Sequence, residues 1–476
     1  MSTNDPSVGT PPIGMRQVPD DLQRHRGTLV QALSDWIAIP SISGDLRHAG
    51  AVTASARWLV SKLTAWGCPH AEVWETEGRP AVFAHWPARD QHAPTVLVYG
   101  HHDVQPAEHA DGWRTPPFEP SFDGRVITGR GSIDDKGQVL MHALAAMVAV
   151  GTEEGLPVSV KLLIEGEEEV GSPNFRQLLQ EGAKMLACDV IVVADSGMSS
   201  ETAPSTTVGA RGTVGLEITV RGIDSPLHSG DFGGAIRNPL TELARLLGRL
   251  HDEDGRVMIP HFYDAVVPPT ATQRESAARQ ARSEPSFVPV GAVTHGEQGF
   301  TDLERVWFRP TAEVNAIWGG HTGPGISMTI PSEAHARVSF RLVLAQNPAY
   351  VVEQATSWIR DSLPAGLRVE VTTHQQLPSN QVDEAHPAVR AVLAALESSF
   401  GHEAHCVYEG GSGPDSFLSS ELRAPVVSLG VALPQDGWHS TNESVDVDRL
   451  LTGAEATIGL WRRLAAVGPG GGPPTG

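Results

Sequence analysis

Three short runs of branched and aromatic apolar residues, each stopped by acids or histidines, set the tightest limit on the fold. Residues 96–99 (VLVY) stop at Gly100, and His101, His102 and Asp103 follow. Residues 158–164 lead into Glu165, Glu167, Glu168 and Glu169, and residues 190–194 lead into Asp195. Apolar runs of this length, bounded by turn residues, read as buried strands. Helical patterns separate them, one starting near Gly137 and one following Gly171. Strands alternating with helices build parallel βα units, and ligands bind at the carboxyl ends of such strands. Each of these strands delivers His, Asp or Glu at that end. Residues two apart in extended chain share a face, so His101 and Asp103 lie side by side. A carboxylate beside an imidazole is the pairing that orients a metal-binding histidine.

The rest of the chain extends this pattern and then breaks it. Residues 20–36 and about 51–66 carry apolar positions at helical spacing, and 81–85 reads as a strand. The loop GRGSIDDKG places Asp134 and Asp135 just before a helix. Acids there ordinarily cap the helix, but one is enough, so the second needs another explanation. From about 210 the strands alternate polar and apolar residues (214–222, 312–320, 335–344, 367–374), with helices at about 238–251 and 348–363. Residues 265–300 read as loop. Alternating strands with two helices predict an antiparallel, ferredoxin-like α+β domain. After about 385 the first texture resumes, with a helix at 388–400, the loop GGSGP, a strand in APVVSLG, GWHSTNES with His439, and a last helix at 447–466.

The expected fold class is therefore α/β: a mixed, mostly parallel sheet flanked by helices, with an inserted ferredoxin-like α+β domain. A chain of 476 residues exceeds one ordinary core, so two domains are expected. The expected boundaries are a disordered leader at 1–18, a catalytic domain formed by 19–209 and 385–467, the insert at 210–384, and a disordered tail at 468–476. A net charge of −21 argues against nucleic acid and anionic membrane as partners. Cys68, Cys188 and Cys406 are odd in number and widely spaced, which argues against a disulfide framework or thiolate zinc site and fits a reducing compartment. The first residues have no signal-peptide pattern and no stretch is apolar enough to span a bilayer, so a cytoplasmic location is expected.

His101, Asp103, Asp134, Glu168, Glu169, Asp195 and His439 fall at strand ends or loops. Imidazoles and carboxylates without thiolate are donors for zinc or manganese. A bridging carboxylate can hold two ions ~3.5–4 Å apart that activate water and polarise a carbonyl. In extended chain the neighbours Glu168 and Glu169 point opposite ways, so one can ligate while the other faces substrate as a general base. No GxSxG elbow and no well-placed reactive cysteine offers a covalent nucleophile.

The segments GHHDVQP, GRGSIDDKG, GEEEVGS, the aspartate after VIVVA, LHSGDFGG, RPTAEVNAI, EGGSGP and GWHSTNE occur in that order between about 20 and 466. Together they resemble the aminoacylase/carnosinase family of two-metal peptidases, with GHHDVQP closest to its dipeptidase branch. The resemblance implies a zinc-peptidase-like catalytic domain and an insert that acts as lid and dimerisation domain. It implies that His101 and Asp195 hold one divalent ion, Glu169 and His439 the other, and Asp134 bridges them, the ions being zinc with manganese or cobalt as alternatives. It also implies a cis Asp134–Asp135 bond, Asp103 as the partner of His101, and Glu168 as general acid/base. His228 corresponds to a histidine that reaches a partner subunit's site in a homodimer. Asn315, Arg341, Gly411 and Ser412 correspond to residues gripping the substrate, Arg341 through its terminal carboxylate. The implied activity is hydrolysis of a dipeptide or short peptide by activated water. An N-acyl-amino-acid deacylase is the alternative, and a non-catalytic metal-bound binding protein a further one. The chain departs from the pattern at His102, where tyrosine is common, at Val170, where serine is frequent, and at Tyr408, where arginine is frequent.

Overall fold

The computed structural model describes residues 18–283 and 292–468. The leader and tail expected to be disordered therefore lie outside the described residues, save for their innermost positions. Two compact units divide the chain: one comprises Met1–Val208, Val382–Val407 and Phe417–Gly476, the other Gly209–Gln381 and Tyr408–Ser416. Sequence texture groups residues 408–416 with the segments flanking them, whereas the structure groups them with the second unit. The reason is local packing. The Tyr408 ring meets Phe308 and Trp307 at centroid distances of 4.7 and 5.8 Å. Arg211 Nε also donates to the Gly410 carbonyl at 3.1 Å.

The first unit is built on a six-stranded sheet in the order His70–Trp74, Ala81–Trp86, Ser159–Glu165, Thr95–His101, Val190–Val193, Val426–Ser428. The first two strands run antiparallel, and the last four pair in parallel. The parallel strands are apolar almost continuously because both faces are covered. On one face Phe83, Leu97, Tyr99, Leu163 and Ile191 pack with Phe175 and Leu179 of the helix Phe175–Leu186. The helix Lys136–Val150 is buried along nearly its whole length and packs against Arg26–Ile37 and Val447–Val467. A helix apolar all round belongs in a core, and this one starts directly after the Asp-Asp pair. The helical stretch at 20–36 is divided into Asp20–Gln23 and Arg26–Ile37. No helix among the described residues is long and apolar enough to cross a membrane.

The second unit runs strand, helix, two strands, helix, strand: Gly212–Arg221, Pro239–Leu247, Thr311–Gly319, Glu333–Leu342, Pro348–Ser362, Arg368–Leu377. Its antiparallel sheet has the order 311–319, 333–342, 212–221, 368–377, which is the ferredoxin-like arrangement. The polar/apolar alternation turns Val214, Leu216, Ile218, Val338 and Phe340 inward against Leu243, Leu246, Val351 and Ile359. Asn238 and Asn347 cap the two helices, each followed by proline at the first position.

Residues 271–283 form a helix where loop is expected. The segment is polar, so it lacks an apolar stripe, but Ala, Gln, Arg and Glu are good helix formers. Its start carries a reciprocal cap: Thr270 N–H donates to Gln273 Oε1 at 2.8 Å and Gln273 N–H to Thr270 Oγ1 at 3.2 Å.

Candidate metal centre

The strand Thr95–His101 runs two residues beyond its apolar core, so fully buried His101 is its last residue. Gly100 is needed for that close approach. A Cβ there would lie 2.3 Å from Asp135 Oδ2 and 2.9 Å from Val139 Cγ2. Asp135 Oδ2 instead accepts the His101 N–H at 3.1 Å. Neither aspartate caps the helix Lys136–Val150, contrary to the simpler sequence reading. The Asp134–Asp135 peptide is cis, as the resemblance implies.

His101 Nε2 lies 3.0 Å from Asp134 Oδ1 and 3.7 Å from Asp195 Oδ2. Its Nδ1 donates to the Asp103 carbonyl at 3.0 Å, with Asp103 Oδ1 at 3.4 Å. The other Asp134 oxygen lies 3.0 Å from His439 Nε2, and that nitrogen is 3.2 Å from Glu169 Oε2. Asp134 thus stands between two imidazoles, one oxygen to each. Two donor groups result: His101, Glu168 and Asp195, and His101, Asp134 and Glu169, with ligand atoms in each within 4.8 Å of one another. His439 has a left-handed backbone at φ 52°, an uncommon conformation for a non-glycine residue that functional sites maintain.

The electrostatics of the cluster are set by carboxylates facing two imidazoles. Burial opposes protonation of His101, yet its contacts with Asp103 and Asp134 and the Asp195 charge hold its pKa well above the usual range. Hydrogen bonds to Asp134 and Glu169 push His439 up to about 10 against burial. Burial works against ionised Asp134, but both imidazoles hold its carboxyl well below normal. Among the described residues neither Asp134 nor Glu169 has a lysine or arginine ion pair. Metal binding requires neutral histidine and ionised carboxylate, with a cation in place of the imidazolium protons. Oxygen and imidazole donors converging without thiolate fit divalent ions.

Glu168 and Glu169 occupy a tight 3-10 turn, Glu168–Val170, rather than extended chain. The turn still separates them, Glu168 falling with Asp195 and Glu169 with Asp134. Asp103 holds the turn, its two oxygens accepting the N–H groups of Glu168 (3.2 Å) and Glu169 (3.1 Å). Burial pushes the Glu168 carboxyl up to about 9; the His101 charge opposes this, and Asp195, Glu169 and Glu165 add to it. A carboxyl held up in this way keeps its proton and can give it to a leaving group, and divalent cations beside Asp195 and Glu169 would lower it towards the range in which it can also accept one.

Gln105 was not among the expected site residues. Its backbone N–H and its Nε2 donate to the two oxygens of Glu169 at 3.0 and 2.6 Å. The period of two that pairs His101 with Asp103 also reaches Gln105, so the signal was present. His102 faces away from the cluster, its Nε2 donating to the Pro80 carbonyl at 2.8 Å. Burial lowers its pKa to about 4, so the ring is neutral and ties two segments together.

The remaining predicted residues lie in the second unit. His228 is the second residue of a two-residue pairing with 329–330, and its side chain is 62% exposed. Its Nδ1 accepts the Gly230 N–H at 3.1 Å. Asn315 is the extra residue at a bulge between Val314 and Ala316, a device that re-aims a side chain. Arg341 Nη1 donates to Ser412 Oγ at 2.8 Å, and no carboxylate among the described residues pairs with this guanidinium. Gly411 is exposed with open space where a Cβ would sit.

Comparison with known proteins agrees with this geometry. The model of Peptidase family M20/M25/M40 matches residues 97–463. A Cys-Gly metallodipeptidase DUG1 of Candida albicans is 30% identical over 472 residues, 92% of this chain and 95% of the relative. A Beta-Ala-His dipeptidase of Homo sapiens is 28% identical over 487 residues, 96% of this chain and 94% of the relative. Among solved structures, the M20 family metallo-carboxypeptidase Sso-CP2 from Sulfolobus solfataricus superposes with a TM-score of 0.80 at 25% identity, covering 92% of this chain and 99% of that one. Human carnosine dipeptidase 1 does so with a TM-score of 0.73 at 27% identity, covering 94% and 97%. With the family model spanning most of its length and carboxylates and imidazoles gathered at its strand ends, this chain belongs to Peptidase family M20/M25/M40.

Proposed function

We propose that the protein is a metal-dependent dipeptidase that hydrolyses the amide bond of dipeptides or short peptides. The observation that carries this reading is Asp134, one oxygen against His101 and the other against His439. Two divalent ions fit there: His101 and Asp195 would hold one, Glu169 and His439 the other, and Asp134 both. Zinc is the proposed metal, with manganese and cobalt as substitutes. Ions at this position supply Lewis acidity and lower the pKa of a coordinated water.

The chain's own residues do the rest. Glu168 takes the proton from the attacking water and returns it to the leaving amine. Asp103 positions it through the Glu168 N–H and also orients His101. Gln105 holds Glu169 by two donors, which fixes that carboxylate's rotation. In the second unit, Arg341 with Asn315, Gly411 and Ser412 receives the substrate's free carboxylate; an Arg341 guanidinium that binds Ser412 but no carboxylate among the described residues supports this. The segment 210–384 serves as lid and dimerisation domain, and exposed His228 stabilises the oxyanion in the partner subunit's site. A cytoplasmic setting accords with three free cysteines. The names of the relatives, which act on Cys-Gly and β-Ala-His, favour dipeptides over acylated amino acids.

Metal analysis combined with a panel of dipeptides, N-acetyl and N-succinyl amino acids tests the reading. Dipeptides should be cleaved, and Glu168→Gln should keep its metal while losing about 10²- to 10⁴-fold in kcat, the range for a positioned acid–base group. Near-wild-type turnover in that variant, or cleavage confined to acylated amino acids, refutes it.

A further inference from the structure

Glu443 is wholly buried and is not among the residues assigned to the metals or the substrate, yet it binds the loop that carries Asp134. Its Oε1 accepts the N–H groups of Ile133 (2.9 Å) and Asp134 itself (3.0 Å). Its Oε2 accepts the Gly131 N–H at 3.0 Å and Arg130 Nη1 at 2.8 Å. The backbone around it is tied to the same loop: Gly129 N–H donates to the Glu443 carbonyl at 2.9 Å, and Ser444 pairs with Thr128. Arg130 reaches back with Nη2 to the Ser440 carbonyl at 3.2 Å and lies over the Trp113 ring. His439 sits four residues before Glu443 on this segment.

One carboxylate therefore joins two stretches about 310 residues apart in sequence, and each stretch presents a ligand of the metal centre. Four donors on two oxygens leave the side chain no freedom to rotate. Three of the donors are backbone N–H groups of the loop, so the carboxylate fixes the peptide plane from which Asp134 projects. We infer that Glu443 is a positioning residue that sets the separation of Asp134 and His439, and thereby the geometry in which the metal pair is held. Glutamine cannot replace it, because only one of its two terminal atoms accepts hydrogen bonds and the other would face N–H donors. Aspartate is one methylene too short to reach all four. The inference rests on the metal-centre reading proposed above.

Cobalt(II) added to chelator-stripped full-length protein tests it by titration and by visible absorption, independently of any substrate. Wild type should bind two equivalents. Glu443→Gln and Glu443→Asp should bind at least one of them about 10- to 100-fold more weakly, as expected when the partners that orient ligands are lost, with a displaced visible band. A residue that only stabilises the fold would lower the unfolding midpoint and leave the band and stoichiometry unchanged. If the single variants do not fold, Arg130→Met combined with Glu443→Gln removes the buried charge pair together and keeps the test available. Folded variants with wild-type stoichiometry, affinity and spectrum overturn the inference. Wild-type protein that binds no cobalt(II) overturns the metal reading and this inference with it, whereas cobalt binding without dipeptide cleavage overturns only the proposed activity.

Discussion

His142 makes the fold sensitive to acid in a way that can be worked out from its surroundings. The ring is fully buried in the helix Lys136–Val150, with Nε2 donating to the Leu429 carbonyl at 2.9 Å and Nδ1 3.1 Å from Thr457 Oγ1. No carboxylate faces it, and burial lowers its pKa from 6.5 to about 4, the Leu429 carbonyl opposing the shift. The unfolded chain thus binds the proton more tightly than the folded one. The stability due to neutral His142 is complete above pH 6.5 and is lost as pH falls towards 4. Linkage puts the loss at about 2 kcal/mol at pH 5 and about 3 kcal/mol once pH is below 4. Urea unfolding at pH 7, 6 and 5 measures it, comparing wild type with His142→Gln. The variant should be less stable at pH 7 but should lose about 2 kcal/mol less than wild type between pH 7 and 5. Parallel pH dependences, agreeing within about 0.5 kcal/mol, the scale of ordinary surface substitutions, would refute the argument.

Two further outcomes follow from single contacts. Gly100→Ala sets a methyl against Asp135 Oδ2 and Val139, so it should destabilise by about 1–3 kcal/mol in chemical unfolding and lower the bound metal measured by elemental analysis. Arg341→Met should raise KM for a dipeptide with a free carboxylate by about 10-fold or more, the worth of a charge-assisted hydrogen bond, while leaving kcat and the C-terminally amidated analogue little changed.

The parts of the fold that were legible in sequence are those encoded by local period. Buried strands ending in His, Asp and Glu announced a parallel sheet with polar side chains gathered at one end, and His101, Asp134, Glu169, Asp195 and His439 do converge there. Alternation announced the antiparallel sheet of the second unit. What escaped was either masked by composition or long in range. The helix Ala271–Ser283 has no apolar stripe, and its one signal was the cap between Thr270 and Gln273. The Glu168–Val170 turn depends on Asp103, about 65 residues earlier, receiving its N–H groups. Glu443 looks like any acid in a loop until Arg130 and the 131–134 backbone are brought to it. Tyr408 packs with the second unit against Trp307 and Phe308, which lie about 100 residues earlier in sequence.

The sheet of the first unit also has a consequence for how the chain is made. Its last strand, Val426–Ser428, pairs with Val190–Val193, which leaves the ribosome about 230 residues earlier. At ~5–20 residues per second, that edge waits roughly 10–50 s for its neighbour. During the wait a row of unpaired amides flanks Val190, Ile191, Val192 and Val193, all buried in the finished sheet. Such an edge is a template for the wrong strand of another nascent chain. The order of translation therefore gives this protein a defined window of vulnerability, one that closes when the segment carrying Val426 arrives.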